Sequence, residues 1–154
     1  MNTSQDTYAL IYARTARDAG LSSSFGLYPQ ICSGIAYAFQ NRWLVKKIYL
    51  DTGSGISDDH PGMKELLSDI QKMSNETVHL VTEDPARLSR NIGYYESLLK
   101  SFNSAGVAVH FCAFGGELPE LGSLTKKLIS ALQSASKREA SLIRRRKNIK
   151  KETK

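Results

Sequence analysis

Four short apolar runs, each separated from the next by a segment of helical period, constrain this chain more than any other feature. Tyr8 to Ala13, Val45 to Leu50, Thr77 to Thr82 and Val107 to Phe111 each read as a strand. The first is apolar at successive positions, as a strand covered on both faces must be, and is expected to be central. Pro29 suits a helix start, and Ile31, Ile35, Ala38 and Phe39 continue that helix to about Asn41. Pro61-Gly62 introduces a second helix, in which Met63, Leu66, Leu67 and Ile70 recur at helical spacing. A third runs from Ile92 to Ser104, with Gly106 marking its end. Arg14 to Gly26, with its Ser22-Ser23-Ser24 triplet, reads as a loop, as do Asp51 to Gly55 and Cys112 to Gly122. Ser123 suits the N-cap of a long last helix that runs through Leu128, Ile129, Leu132 and Ala135 towards Leu142 and Ile143. Alternating strand and helix predicts an α/β, three-layer sandwich around a largely parallel sheet. The expected organisation is a core over 1–122 and a long basic helix over 123–154, with no internal repeat and no linker.

Composition narrows the partners. No uninterrupted apolar segment approaches the roughly 20 residues that span a bilayer, so no membrane is expected. The segment from Met1 to Asp6 lacks the order of a signal peptide, which points to the cytoplasm. Cys32 and Cys112 form neither a CxxC pair nor a metal spacing and read as single buried thiols. Charge is concentrated: Lys137 to Lys154 holds nine lysines or arginines against two glutamates, so the net +6 of the chain resides there and the rest is close to neutral. A basic segment of this kind suits a polyanion, because each phosphate it neutralises releases counterions. A solvated helical terminus is the plain alternative.

Arg87-Leu88-Ser89-Arg90 follows the third strand and precedes the helix that starts at Ile92. Two arginines three apart at such a junction are expected on one side of a first helical turn. They also lie at the carboxyl end of a strand, where open α/β sheets place ligands. Forked guanidinium donors suit a phosphate or a carboxylate. Structural pairing competes with that reading: Arg14 with Asp51 or Glu83, and Arg87 or Arg90 with Asp84. His79 and His110 read as packed core histidines, Tyr94-Tyr95 as helix packing, and Trp43 as the edge of the core.

In this order the elements resemble the catalytic domain of the serine recombinases, the resolvase and invertase family. Tyr12-Ala13-Arg14 is similar to that family's opening strand end, and Gln30 to the glutamine of its first helix. Asp51-Thr52-Gly53-Ser54-Gly55, Pro61-Gly62-Met63 and Arg87-Leu88-Ser89-Arg90-Asn91 resemble its next three motifs. Glu139-Ala140-Ser141-Leu142-Ile143 fits its long helix. The resemblance implies a serine that attacks a DNA phosphodiester, with arginines neutralising the phosphoryl oxygens and no metal or nucleotide cofactor. It assigns phosphate stabilisation to Arg14, Arg87 and Arg90, auxiliary places to Tyr12, Ser54 and Glu139, and DNA contact to Arg144, Arg145, Arg146 and Lys147. It also implies a dimer or tetramer held through the long helix.

Three positions depart from the family pattern. Ala16 stands at the nucleophile's place, Ala86 where an aspartate is expected, and His60 where an arginine is expected. An alanine methyl cannot attack phosphorus, so the expected activity is DNA binding and self-association for strand exchange with cleavage lost. His60 offers a positive charge only when protonated, which makes it a poorer phosphate clamp than arginine. Two alternatives stay open: cleavage by a replacement hydroxyl at Thr15 or Ser22 to Ser24, and a regulatory domain that binds a small phosphorylated ligand. A DNA-recognition domain beyond the last helix is not expected within these residues.

Overall fold

The computed structural model describes residues 6–15, 26–57 and 59–116. Ala16, Ser22 to Ser24, Glu139, Arg144 to Lys147, the helix expected from Ser123 and the boundary at 122 lie outside them. Four parallel strands form one sheet in the order β2-β1-β3-β4: β1 (Thr7–Thr15), β2 (Leu44–Thr52), β3 (Thr77–Thr82) and β4 (Ala108–Phe111). The helices are α1 (Leu27–Gln40), α2 (Pro61–Ile70), the single turn α3 (Pro85–Leu88) and α4 (Ile92–Ser104). Among the described residues no helix is long and apolar enough to cross a membrane.

Strand β1 is central because every residue from Ala9 to Thr15 is buried. Ala9 and Ile11 face α1, whereas Tyr12 and Arg14 face α2, which packs beside α4 on the opposite side. Those are the three layers. Gly34 sets the closeness of α1, since a Cβ there would stand 2.9 Å from Ile11 Cγ2.

Helix α1 differs from expectation in its start. It begins at Leu27 rather than Pro29, and its buried residues are Leu27, Gln30, Gly34 and Ala38. Ile35 and Phe39 are 41% and 81% exposed, because the helix rolls Gly34 onto β1 and turns its larger apolar side chains outward. Strand β2 is an outer strand whose Val45, Ile48 and Leu50 are exposed. Its other face is tied down: Lys47 Nζ donates to Glu65 at 2.7 Å and Asp69 at 2.6 Å, and the Tyr49 hydroxyl to Asp69 at 3.0 Å. Cys32 is exposed on α1 and Cys112 half-buried, so neither is the buried thiol expected of both.

Candidate functional site

Strands β1 and β2 end side by side, with Arg14 opposite Asp51. Their side chains do not pair. Asp51, 4% exposed, instead caps α2 from outside that helix, taking the Gly62 N–H on Oδ1 at 2.7 Å and the Met63 N–H on Oδ2 at 2.9 Å. A carboxylate there answers the free N–H groups and the positive end of the helix. The buried Tyr12 hydroxyl donates to the same Oδ2 at 2.9 Å. Burial, then the Asp51 charge, raises the Tyr12 pKa far above the ordinary phenol value, so Tyr12 stays a neutral donor. Gly62 permits the approach, since a Cβ there would stand 2.6 Å from the Leu50 carbonyl oxygen.

Arg14 is 3% exposed and spends its donors on backbone. Nε donates to the Arg87 carbonyl at 2.9 Å, Nη1 to Gly53 at 2.8 Å and Nη2 to Ala86 at 2.5 Å. Gln30 holds its main chain from α1, accepting the Arg14 N–H at 3.1 Å and donating to the Arg14 carbonyl at 3.0 Å. Arg14 therefore pins two loops to the end of β1: the turn after β2 and the α3 turn after β3. Burial lowers its pKa, Tyr12 opposes that, and the positive Arg90 and Arg87 add to the lowering. The guanidinium nonetheless keeps its charge, because its ordinary pKa lies so far above neutrality.

Arg87 and Arg90 do not share one helical turn as expected. Asp84 caps α3 by accepting the Arg87 N–H at 3.2 Å, Pro85 follows it, and the turn stops at Leu88. Arg90 lies in the connector before Asn91, the N-cap of α4. Asp84-Pro85 was the readable sign of this extra turn, a cap residue followed by a proline at the first helical position. Arg87 is paired: Nε and Nη2 each donate to Glu83 Oε2 at 2.8 Å, Asp84 lies 3.6 Å away, and Nη1 reaches the Arg14 carbonyl at 3.3 Å. Arg90 is exposed and makes no ion pair with a described carboxylate.

Gly55 is where the arginines meet. A Cβ there would stand 2.5 Å from Arg14 Nη2 and 2.9 Å from Arg90 Cγ. Its carbonyl accepts the Arg90 N–H at 2.7 Å and the buried Ser89 hydroxyl at 3.4 Å, and Ser89 Oγ also accepts the Asn91 N–H at 2.9 Å. Sequence reasoning passed over Gly55 and Ser89 as individual residues, and backbone acceptors such as those of Arg14 leave no residue-type signal. Ser54 is exposed and its hydroxyl accepts the Ile56 N–H at 3.2 Å, closing a local turn. His60, 2% exposed, lies beneath this loop, its Cε1 3.7 Å from where a Gly53 Cβ would stand, and neither ring nitrogen has a hydrogen-bond partner among the described residues. Thr15 is buried at the end of β1. One exposed cation, one carboxylate-paired cation and one buried cation thus converge at the carboxyl end of the sheet, an arrangement able to receive an anion from solvent.

A family model described as the resolvase N-terminal domain matches residues 9–154. Among solved structures, the N-terminal catalytic domain of TP901-1 integrase is similar at 23% identity and a TM-score of 0.66, over 87% of this chain and 99% of that one. The C-terminal catalytic domain of ISC1926 TnpA, an IS607-like serine recombinase, matches at 24% identity and 0.59, over 81% and 78%. A resolvase family site-specific recombinase from Streptococcus pneumoniae matches at 16% identity and 0.59, over 97% and 100%. No curated protein matches the chain.

Proposed function

Because this chain belongs to the resolvase N-terminal domain family, we propose that it is a serine-recombinase-like domain that binds the DNA backbone at its arginine cluster without cutting it. The meeting of Arg14 and Arg90 at Gly55, with Arg87 held against the Arg14 main chain at the same strand ends, is the observation that carries this reading. The three divide the work. Arg90 meets a phosphate directly, Arg87 follows when the phosphate displaces Glu83, and Arg14 supplies charge from beneath while its bonds hold both loops in place. Tyr12 acts one step further down, through Asp51. Ser54 is placed on the exposed rim, where its hydroxyl can turn from the Ile56 N–H to a phosphate oxygen.

Ala16 supplies no nucleophile, and Ala86 supplies a carbonyl to Arg14 but no carboxylate. The basic run from Arg144 to Lys147 adds non-specific backbone contacts, and the segment 123–154, with Glu139, mediates self-association into dimers or tetramers. Phosphate contacts of these kinds fix position without reading sequence. In this reading the domain works in the cytoplasm, with no metal or cofactor.

Binding to a short duplex as a function of salt is the test. Each phosphate contact contributes about 0.9 to the slope of log affinity against log salt concentration. Arg90→Ala is expected to lower that slope by about 1 and to weaken binding equally on unrelated sequences. An unchanged slope in Arg90→Ala and in Arg87→Ala, with a small phosphorylated ligand bound instead, overturns the DNA reading. A suicide duplex is expected to trap no covalent adduct. An adduct would mean that Thr15 or one of Ser22 to Ser24 has taken over as nucleophile.

A further inference from the structure

Helix α1 forms an outer layer, yet it carries no charged side chain between Leu27 and Gln40. By contrast, α2 carries Lys64, Glu65 and Asp69, and α4 carries Glu96 and Lys100. The exposed side of α1 is apolar: Tyr28 and Phe39 are 66% and 81% exposed, with Cys32 and Ile35 exposed between them. These four positions lie 4, 3 and 4 residues apart, the alternation of a coiled-coil seam. A solvated helix face is ordinarily charged, whereas loss of charge and gain of aromatic residues mark the centre of an interface. Tyr37 occupies the flank of α1 beside the end of β4, since a Cβ at Gly116 would stand 2.5 Å from its hydroxyl oxygen and Gly116 pairs with Phe111. Ile35 and Phe39 stand two residues to either side of Tyr37, about 200° around the helix. The stripe therefore lies on the opposite flank, towards β2. There Val45, Ile48 and Leu50, all exposed, lie opposite Ala9, Ile11 and Ala13 on the strand face that α1 covers. Helix flank and strand face make one uncharged, apolar corner.

The order of side chains along the stripe identifies its occupant. A two-fold axis passing between Ser33 and Gly34 maps the stripe onto itself. It sets Tyr28 of one copy against Phe39 of the other, and Cys32 against Ile35, as layers of an antiparallel seam. Antiparallel helices also place each positive end beside the other's negative end. Charge agrees with this choice. The chain carries a net +6, so two copies repel unless they meet through a face that has no charge of its own. A polyanion, conversely, finds no cation on α1. We propose that the α1–β2 corner is a self-association surface, through which two copies form an antiparallel, two-fold dimer with α1 packed on α1 and each helix covering the other copy's exposed β2 face. This surface depends neither on the arginine cluster nor on the part proposed for 123–154.

The test uses the whole chain and two exposed positions whose change leaves the core alone. In sedimentation velocity, Phe39→Lys and Tyr28→Glu are each expected to halve the mass of the parent assembly. Each sets a charge against an aromatic ring at the centre of the seam, and the dissociation constant should rise about tenfold or more. An equal mixture of the two variants is expected to restore the parent mass. The two-fold then sets the introduced ammonium beside the introduced carboxylate in one layer and leaves Tyr28 against Phe39 in the other. A short bis-maleimide should join two parent chains through Cys32 and should fail to do so in Cys32→Ser. The halving is expected whether or not 123–154 also self-associates: tetramers fall to dimers if it does, and dimers to monomers if it does not. Equal masses for the parent and both variants overturn the proposal and mean that another part of the chain or a different protein covers the corner. Variants that fail to restore each other overturn the two-fold pairing. The cross-link uses the unaltered chain, and its absence overturns the proposal as well.

Discussion

Asp51 provides the sharpest test of how the site is held. Its carboxylate is 4% exposed and accepts from the Gly62 N–H, the Met63 N–H and the Tyr12 hydroxyl. Asp51→Ala orphans all three donors in a buried place. At about 1–3 kcal/mol for each unsatisfied group, with partial relief from relaxation, the loss should come to about 4 kcal/mol. Asp51→Asn keeps one oxygen but turns an NH2 towards a donor and removes the charge at the helix end, for about 2 kcal/mol. Tyr12→Phe removes one donor and leaves Oδ2 with the Met63 bond, for about 1 kcal/mol. The double variant Tyr12→Phe/Asp51→Ala should cost about 1 kcal/mol less than the sum of the single changes, because no hydroxyl is left to orphan. Urea unfolding followed by circular dichroism reads all of these. With an m-value of about 2 kcal/mol per molar, Asp51→Asn should move the midpoint down by about 1 M at unchanged m. If Asp51→Asn lies within about 0.5 kcal/mol of the parent, or the two changes simply add, then Asp51 does not cap α2 and the reasoning fails.

Three further outcomes follow from the same geometry. Gly55→Ala should separate Arg14 from Arg90 and cost about 1–3 kcal/mol by overpacking, with DNA affinity falling even at temperatures where the fold persists; full affinity in a folded Gly55→Ala protein would count against the cluster. Glu83→Gln should tighten DNA binding up to about fivefold by releasing Arg87 from a partly buried pair, measured by anisotropy at fixed salt; weaker binding would mean that Glu83 positions Arg87 rather than competing for it. The His79 pKa is lowered in the folded state by burial, so the folded chain binds fewer protons than the unfolded one at acid pH. That contribution to stability is complete above about pH 6.5 and is lost as pH falls through the folded value. Urea midpoints should therefore drop between neutral and mildly acid pH, by less in His79→Phe; an equal drop would assign the acid sensitivity elsewhere.

Strands β1 and β3 are legible because burial there enforces a run of apolar residues. Thr77 to Thr82 is matched at both ends, and β1 takes the central place that its unbroken apolar pattern demanded. In helix α1 apolar residue type is no guide to burial. Ile35 and Phe39 follow the helical period, yet the side of α1 that meets β1 is marked by Gly34 and Ala38, whose small size is what permits the contact. Strand β2 shows the converse, with Val45, Ile48 and Leu50 apolar and exposed. Period reveals which residues share a face, but it does not say which face finds a neighbour.

At the site, residue types singled out three arginines but gave each of them the same task. The carboxylates expected to compete with a phosphate for Arg14, those of Asp51 and Glu83, are both engaged elsewhere. The three side-chain bonds of Arg14 among the described residues all go to carbonyls of the two loops that carry the other site residues. A buried guanidinium so committed cannot fork around an incoming phosphate without releasing a loop, so in the proposed reading its part is long-range charge and fixed geometry. The departures at positions 60 and 86 bear on this division. Ala86 keeps the backbone acceptor that Arg14 Nη2 uses, and that bond requires no side chain. His60 sits buried, with both ring nitrogens unpartnered among the described residues, where the family pattern has an arginine. It therefore adds no exposed cation to the cluster while the Gly53–Gly55 loop lies in place. Phosphate affinity should consequently fall most steeply on loss of Arg90, the one exposed member, whereas loss of Arg14 should register first as reduced stability of both loops.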